Sequence, residues 1–456
     1  MKPHTGIVTY AAYIPSYRLA LEDLGSALGV AAGKGKRVAA SFDEDSTTMA
    51  VEAARRALGT RTAESLYFAT TTPAYADKSN ASAIHAALRL PRDGFAADVS
   101  GSARSGIAAL RAASSDTGLA VLSDLITGRP GSSDERGGGD GAAAFLFGPT
   151  DDAIAELIAT ASVSEEFLDR WRSPGASTGH QWEERFGYEK YLPLIEEASG
   201  RALSDVGLSE ADHVVLVSPN TAVAKRGRSL VPGRVSTCGS PLGYAGAAGI
   251  GLALADALDR AEPGHTILLI SASDGCDAFV LRATDLLAKR RQATTVADQL
   301  ARGHRLAYPT YLNWRGFLDR EPPRRPEPDR AAAPPSARAL TWKFGFSGSR
   351  CTGCQFMHLP PARTCKKCGT IDAMATESLA ARQGTVATYT VDRLAFSPSP
   401  PVVEAVVDFD GGGRYTLEVA DGDPEALKVG TRVELTFRRL NTAGGVHNYF
   451  WKARAV

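Results

Sequence analysis

Thr266-Ile267-Leu268-Leu269-Ile270-Ser271, followed two residues later by Asp274-Gly275-Cys276-Asp277-Ala278-Phe279-Val280-Leu281, reads as an apolar strand, a polar gap and a second strand built on a Gly/Asp turn. The same grammar stands earlier: Ala120-Val121-Leu122-Ser123 leads to Gly139-Asp140-Gly141-Ala142-Ala143-Ala144-Phe145-Leu146-Phe147. Each copy follows a small-residue-rich helical stretch, Ala103 to Ser114 in the first and Tyr244 to Ala261 in the second. Two copies of one βα unit account for the pattern, although any two α/β strand ends share part of it.

Working outward, Met49, Val51, Ala54 and Ala57 recur at helical spacing within Thr47 to Leu58, and Ser65-Leu66-Tyr67-Phe68-Ala69-Thr70 follows as a strand. The first two thirds of the chain therefore read as α/β. A break comes at Pro322 to Pro335, where six of the 25 prolines are interleaved with charges and no apolar periodicity survives. Beyond it, Trp342 to Cys368 is a short loop-rich module. Five short alternating runs then follow: Val386 to Val391, Val402 to Phe409, Tyr415 to Val419, Val433 to Phe437 and Tyr449 to Trp451. Their Gly turns predict a small β-barrel of the OB kind. The expected organisation is two α/β halves at 1–165 and 166–320, a linker at 321–340, a metal ribbon at 341–380 and the barrel at 381–456.

Length and composition set the bounds. At 456 residues, 44% hydrophobic and 22% charged, the chain can bury a large core, which excludes bulk disorder. Lys+Arg and Asp+Glu both total 51, a balance that disfavours a nucleic-acid-coating role. Glu404, Asp408, Asp410, Glu418, Asp421 and Asp423 crowd the barrel and argue against a single-stranded nucleic-acid groove there. The stretch Ala245 to Ala255 ends at Asp256 and is too short to span a bilayer, and the N-terminus shows no secretory pattern; a cytoplasmic protein is expected.

Four of the six cysteines fall in Cys351-x2-Cys354 and Cys365-x2-Cys368. Each pair lets a tight knuckle aim two thiolates at one ion, and two knuckles close a tetrahedral sulfur site whose metal is structural. Zinc is the expected occupant; a rubredoxin-type iron and a dithiol redox pair are the alternatives. His358, between the pairs, is expected to be an ordinary surface residue.

Three runs carry a resemblance. Ala12-Tyr13-Ile14-Pro15-Ser16-Tyr17-Arg18, Asp43-Glu44-Asp45-Ser46-Thr47-Thr48-Met49-Ala50 and Asp277-Ala278-Phe279-Val280-Leu281-Arg282 resemble hydroxymethylglutaryl-CoA synthase-like proteins of the thiolase superfamily. The C-terminal part resembles the rubredoxin-like zinc ribbon plus OB-fold modules that accompany such enzymes. The resemblance implies a five-layered αβαβα duplication, an acyl-CoA ligand and a homodimer packed through the segment Gly101 to Ala109.

It also implies a set of catalytic positions, and the sequence departs from each. The nucleophilic cysteine of the family falls at Ala103, with Ser102 one residue before it. Its glutamate falls near Thr71, its histidine at Ser218 in Val215-Leu216-Val217-Ser218-Pro219-Asn220, and its Gly-Asn near Pro241-Leu242. Alanine cannot carry a thioester, and serine needs a neighbouring base. His180 is the nearest histidine by family position, with an exposed or satisfied side chain as the alternative. Cys238 and Cys276 read as buried structural thiols.

The candidate catalytic residues are thus Tyr244, Ser218, Asn220, Tyr75 and Ser102, with packing as the alternative role for the two tyrosines. Lys225, Arg226 and Arg228 are candidates to meet CoA phosphates, or else form a charged helix face. The function expected from the resemblance is an acyl-CoA-handling enzyme that makes or breaks a C–C bond without the usual cysteine, for instance by retro-aldol cleavage of a β-hydroxyacyl-CoA. The alternative is a non-catalytic acyl-CoA-binding or scaffolding subunit for a partner thiolase. A polar-lined cavity favours the first and an apolar-filled one the second.

Overall fold

The computed structural model describes residues 5–31, 33–321 and 337–456, without the side chains of 234–236 and 238. The Pro-rich stretch and the Cys238 thiol lie outside the described residues. The chain divides into two compact units. One comprises Met1–Ala40, Asp45–Ser82 and Leu90–Tyr311; the other comprises Ser41–Glu44, Ala83–Arg89 and Leu312–Val456.

The first unit holds ten strands in one hydrogen-bonded array. They are β1 (Thr5–Tyr13), β2 (Ser65–Thr70), β3 (Phe95–Ser100), β4 (Leu119–Asp124), β5 (Gly141–Pro149), β6 (Ala155–Val163), β7 (Ala211–Val217), β8 (Gly233–Cys238), β9 (Thr266–Ala272) and β10 (Cys276–Ala283). Their order, β8-β7-β9-β10-β6-β1-β5-β4-β2-β3, is two copies of one five-stranded pattern back to back. In each copy an antiparallel pair (β1/β5, β6/β10) leads through a second antiparallel contact (β5/β4, β10/β9) to two parallel pairings (β4/β2/β3, β9/β7/β8). Among the described residues the strands of the two copies pair at Gly6↔Glu156 and Ile7↔Ala155. The duplication expected from the two apolar runs is therefore real.

Helices complete five layers. Helix α1 (Ser46–Leu58) packs on the first sheet, and its start is fixed by a capping box in which Asp45 and Thr48 exchange side-chain to backbone bonds of 2.9 and 2.8 Å. Between the sheets lie α2 (Ser105–Ser115) and, late in the chain, the helix Ala248–Arg260; Ile107, Leu110, Ile250 and Leu254 share one apolar cluster with Phe145 of the first sheet and Phe279 of the second. These central helices approach so closely that a Cβ on Gly106 would collide with the carbonyl of Ala247. Short α3 (Ser133–Gly137) lies beyond β4. On the far side α4 (Glu184–Ser204) and α5 (Thr221–Gly227) cover the second sheet through Tyr191, Ile195 and Val223. The helix Ala248–Arg260, α6, starts four residues later than its composition predicts, because Gly243 and Gly246 take positive φ and Tyr244 is left in the connection before it.

In the second unit β11 (Ser347–Cys351) pairs with β12 (Met357–His358) and β13 (Met374–Ser378). Five further strands, β14 (Gly384–Asp392), β15 (Val402–Phe409), β16 (Arg414–Glu418), β17 (Arg432–Ala443) and β18 (Val446–Ala455), run in the order β16-β15-β14-β17-β18, and a bridge from Val419 to Ala453 closes the barrel. Four of the five predicted runs fall within these strands, and the run Tyr415 to Val419 reaches one residue past β16 to the bridging Val419. Phe437 fills its centre against Trp451 and Tyr449 at 5.2 and 5.6 Å. Among the described residues no helix is long and apolar enough to cross a membrane.

Candidate functional site

A cleft of about 160 Å³ opens at the carboxyl ends of the parallel strands, the place where α/β sheets present loops and helix starts to ligands. Thr71 and Thr72 enter it from the end of β2, and Gly101, Ser102 and Ala103 from the turn between β3 and α2. Ser273 and Asp274 come from the β9–β10 turn, Tyr244 from the connection before α6, and Asp169, Arg170, Trp171 and Arg172 from the loop after β6. A deeper pocket shares Ala103, Pro219, Tyr244 and Ser273 with the cleft and adds Ser218, Gly246 and Ile250. The duplication explains the meeting: the ends of β2 and β7 are equivalent, and so are the starts of α2 and α6.

The frame of the site combines one fully buried carboxylate with two arginines nearer the surface. Asp124, at the end of β4, is fully buried and takes hydrogen bonds from Thr70 Oγ1 (2.8 Å), Thr71 N (2.8 Å), Thr72 N (3.0 Å) and Thr72 Oγ1 (2.7 Å). Burial pushes its carboxyl above the usual range, against the pull of those donors. Arg104 binds the Asp277 carboxylate at 2.8 Å and the Asp274 carbonyl at 2.6 Å, which pins the start of α2 to the β9–β10 turn. Arg172 donates to the carbonyl of Thr71.

Two tyrosines line the cleft, and they differ. The Tyr191 hydroxyl donates to Asp169 at 3.3 Å and accepts from the Asp274 amide at 3.0 Å. Among the described residues the Tyr244 hydroxyl has no hydrogen-bond partner, while its ring lies under Arg170, whose Cζ is 4.3 Å from the ring centroid. Burial raises the Tyr244 phenol to about 12, the charges of Asp124 and Asp134 push it the same way, and Arg170 and Arg172 oppose them. Asp169 is also raised, first by burial and then by Asp274 beside it, although the Tyr191 bond pulls it back.

Against these positions the sequence candidates separate. Ser102, Ser218 and Tyr244 line the cleft or its inner pocket, as do Ala103 and Thr71. Asn220 instead caps α5, its Oδ1 accepting from Ala222 N at 3.0 Å, and Tyr75 lies outside the lining, its amide bound to Asn80 Oδ1 at 3.1 Å. Lys225, Arg226 and Arg228 are exposed on α5 and its C-cap, with Arg226 stacked 3.9 Å above Tyr188. His180 is exposed and stacks on Trp171 at 5.5 Å. Cys276 is buried at the start of β10, and burial drives its thiol far above the usual range. Asp124, Asp134, Asp169 and Arg170 escape the sequence reading. The run Asp169-Arg170-Trp171-Arg172, dense in charge and aromatic rings, is a local signal for the last two, and the structure pairs Arg170–Trp171 with His180–Gln181 as a short antiparallel ribbon.

The four ribbon cysteines sit together, all sulfurs within 4.8 Å of one another. Both knuckles have one design: Gln355 N bonds Cys351 O at 2.8 Å and Gly369 N bonds Cys365 O at 2.9 Å, with Gln355 and Gly369 at positive φ. The Cys351–Cys368 and Cys354–Cys365 sulfurs lie 3.6 and 3.5 Å apart. Tetrahedral zinc with bonds of about 2.3 Å requires about 3.8 Å, so the donor set fits. His358 is buried beside Phe356 rather than at the surface, because β12 turns it inward.

Comparison with known proteins bears on the α/β part and on the barrel. The hydroxymethylglutaryl-CoA synthase of Pyrobaculum aerophilum is 30% identical over 346 residues, covering 69% of this chain and 98% of the relative. That of Archaeoglobus fulgidus is 29% identical over 343 residues, covering 68% and 98%. The chain belongs to the hydroxymethylglutaryl-CoA synthase family. Among solved structures, MvaS in complex with 3-hydroxy-3-methylglutaryl coenzyme A superposes with a TM-score of 0.59 at 21% identity, over 69% of this chain and 92% of that one. The 3-oxoacyl-(acyl carrier protein) synthase III of Pseudomonas aeruginosa PAO1 gives 0.53 at 21%, over 62% and 98%. The thiolase-like core of this family member is thereby established. Residues 377–438 match the family of the ChsH2 C-terminal OB-fold domain, in agreement with the closed barrel.

Proposed function

We propose that this member of the hydroxymethylglutaryl-CoA synthase family binds an acyl-CoA in the cleft and cleaves a carbon–carbon bond by acid–base chemistry without an acyl-enzyme, the reaction being retro-aldol cleavage of a β-hydroxyacyl-CoA. One observation carries the reading: the turn before α2, where the resemblance puts the family's thiol, offers Ala103 to the cleft, and the Tyr244 hydroxyl that lines the same pocket has no hydrogen-bond partner among the described residues. In the cleavage a base takes the β-hydroxyl proton and the Cα–Cβ electron pair moves onto the thioester as an enolate. A carbonyl forms at Cβ, and protonation of Cα yields a shorter acyl-CoA and an aldehyde or ketone. Asp169 suits the base, since a buried carboxylate beside Asp274 holds protons more tightly than one in water. Tyr244 and Ser218 suit the enolate oxygen as donors.

Lys225, Arg226 and Arg228 are assigned to the CoA phosphates from their exposure and charge. Zinc is assigned to the cysteine cluster as a structural ion that fixes the ribbon fold. The homodimer is assigned to β3, the last strand of the array, whose Phe95 is 57% exposed, together with Ala108 exposed on α2. The charged and hydroxylic side chains that reach the cleft, Asp134, Asp169, Arg170 and Tyr244 among them, support catalysis over a purely scaffolding role. The test is a panel of β-hydroxyacyl-CoAs assayed for carbonyl release: release lost in Tyr244→Phe and Asp169→Asn supports the reading, and no release from any member with the folded protein sinks it.

A further inference from the structure

We propose that Arg170, clamped by Asp134, is a positioning residue that holds its guanidinium against the face of Tyr244 and so makes that phenol the proton-donating group of the cleft. This rests on the reading of the cleft as an acid–base site and adds to it a device for tuning one group.

The arrangement is a closed circuit. Tyr244 is fixed by its backbone, its amide donating to Gly137 O at 2.8 Å and its carbonyl accepting from Gly139 N at 3.0 Å. Gly137 ends α3, and Asp134 lies one turn earlier on the same helix. The Asp134 carboxylate takes both terminal nitrogens of Arg170, at 3.0 and 2.7 Å, and Gln181 Oε1 takes one of them again at 3.2 Å. A forked guanidinium held at both ends cannot rotate away, and its Cζ stays over the Tyr244 ring, 4.3 Å from the centroid. The element that anchors the backbone of the tyrosine thus also anchors the cation over its ring.

The chemistry follows from charge. A cation over the ring face is attracted more strongly to phenolate than to phenol, so it eases loss of the proton from Tyr244 Oη as that atom hydrogen-bonds an enolate. The other charges that face the phenol are Arg172, which acts in the same sense, and Asp124 and Asp134, which act against it. Asp134 offsets part of the charge of the guanidinium it clamps and Asp124 opposes it as well, but Arg170 is the charge that acts most strongly on the phenol. Tyr191, the other tyrosine of the cleft, has its hydroxyl engaged on both sides and is not available for this role.

The test replaces Tyr244 in the full chain with genetically encoded 3-nitrotyrosine, whose ionisation near neutral pH is read from its visible colour without substrate. In Arg170→Met the nitrophenol pKa should rise by about one unit, and in Arg170→Lys by less, because charge remains while the planar contact is lost. Circular dichroism identifies which variants are folded, and the lysine variant carries the test if the methionine variant is not. An unchanged or lowered pKa in a folded variant overturns the proposal. Because the colour needs no turnover, a shifted pKa with no carbonyl release would sink the retro-aldol reading alone. Where turnover exists, the pH–rate profile of the Arg170 variants in the Tyr244 protein should move to higher pH, and an unmoved profile also counts against the proposal.

Discussion

The carboxylate of Asp124 accepts the backbone amide of Ala247 at 2.6 Å, tying the end of β4 in the first copy of the duplication to the residue that opens α6 in the second. The same side chain organises the Thr70-Thr71-Thr72 corner of the cleft, so one buried group joins two walls of the site.

Asp124→Asn tests this joint. An amide presents its NH2 either to the Ala247 amide or to those of Thr71 and Thr72, and both orientations set donor against donor. The expected loss is about 2 kcal/mol, from a buried donor left unpaired. Gly246→Ala should cost at least as much, since Gly246 sits at φ 53° and its Cβ would collide with the carboxylate. Calorimetry of the purified chain reads both; an unchanged melting temperature in either would refute the role given to Asp124.

In the second unit a buried ionic cluster gives a pH dependence with a definite sign. Lys452 binds Asp43 at 2.9 Å and Glu418 at 2.7 Å, and Arg438 binds Glu44 at 2.7 Å and Asp421. Burial alone pushes Asp43 up, but Lys452 and Arg438 outweigh it and hold the carboxyl at about 2. A carboxylate with a depressed folded value binds fewer protons folded than unfolded. Its contribution, about 2 kcal/mol, is present above pH about 4 and is lost as pH falls toward about 2. Acid titration of stability should show this slope, and Asp43→Asn should flatten it while lowering stability near neutrality. A variant that keeps the wild-type slope would show that other groups carry it.

The legible part of this chain is what local pattern encodes. Alternation over Val402 to Phe409 marks a strand to the residue, and the two Cys-x2-Cys spacings foretell the two matching knuckles. The helix start at Ala248 is misplaced at Tyr244 because small residues suit a helix by composition, while the positive φ of Gly243 and Gly246 is imposed by the close approach of α3 and Asp124. Asn220 carries an N-cap signal ahead of Thr221 that competes with its reading as a site residue, and capping is what the structure shows. The assembly of Asp134, Arg170 and Tyr244 into one circuit has no sequence signature, although Tyr244 is a candidate by sequence and Arg170 lies in a run dense in charge and rings. Its members lie 36 and 74 residues apart and are brought together only by the return of the second copy against the first.

The ribbon is expected to hold zinc. Elemental analysis of freshly purified protein should give about one zinc per chain, and Cys354→Ser should remove it and melt the ribbon while the α/β unit keeps its own transition. Iron in place of zinc, or no metal in wild-type protein, would reject the assignment.

Edge pairing of β3 should make the chain a dimer. Light scattering at micromolar concentration should give twice the chain mass, and Ala108→Arg, placing a bulky charge on the exposed face of α2, should yield monomers. A monomeric wild type would exclude the interface.

Covalency separates the acid–base reading from a condensing enzyme that uses serine. Ser102 lines the cleft, but its Oγ accepts from the Arg104 amide at 3.2 Å, and no histidine lies among the described lining residues to take its proton. An alcohol without a base is a poor nucleophile toward a thioester. Incubation with short and long acyl-CoAs should therefore leave the intact mass of the chain unchanged, and Ser102→Ala should keep at least half of any carbonyl release from β-hydroxyacyl-CoAs. An acyl adduct mapped to Ser102 and abolished by Ser102→Ala would restore a covalent mechanism, since the acyl group would then have a resting place that the aldol route does not need.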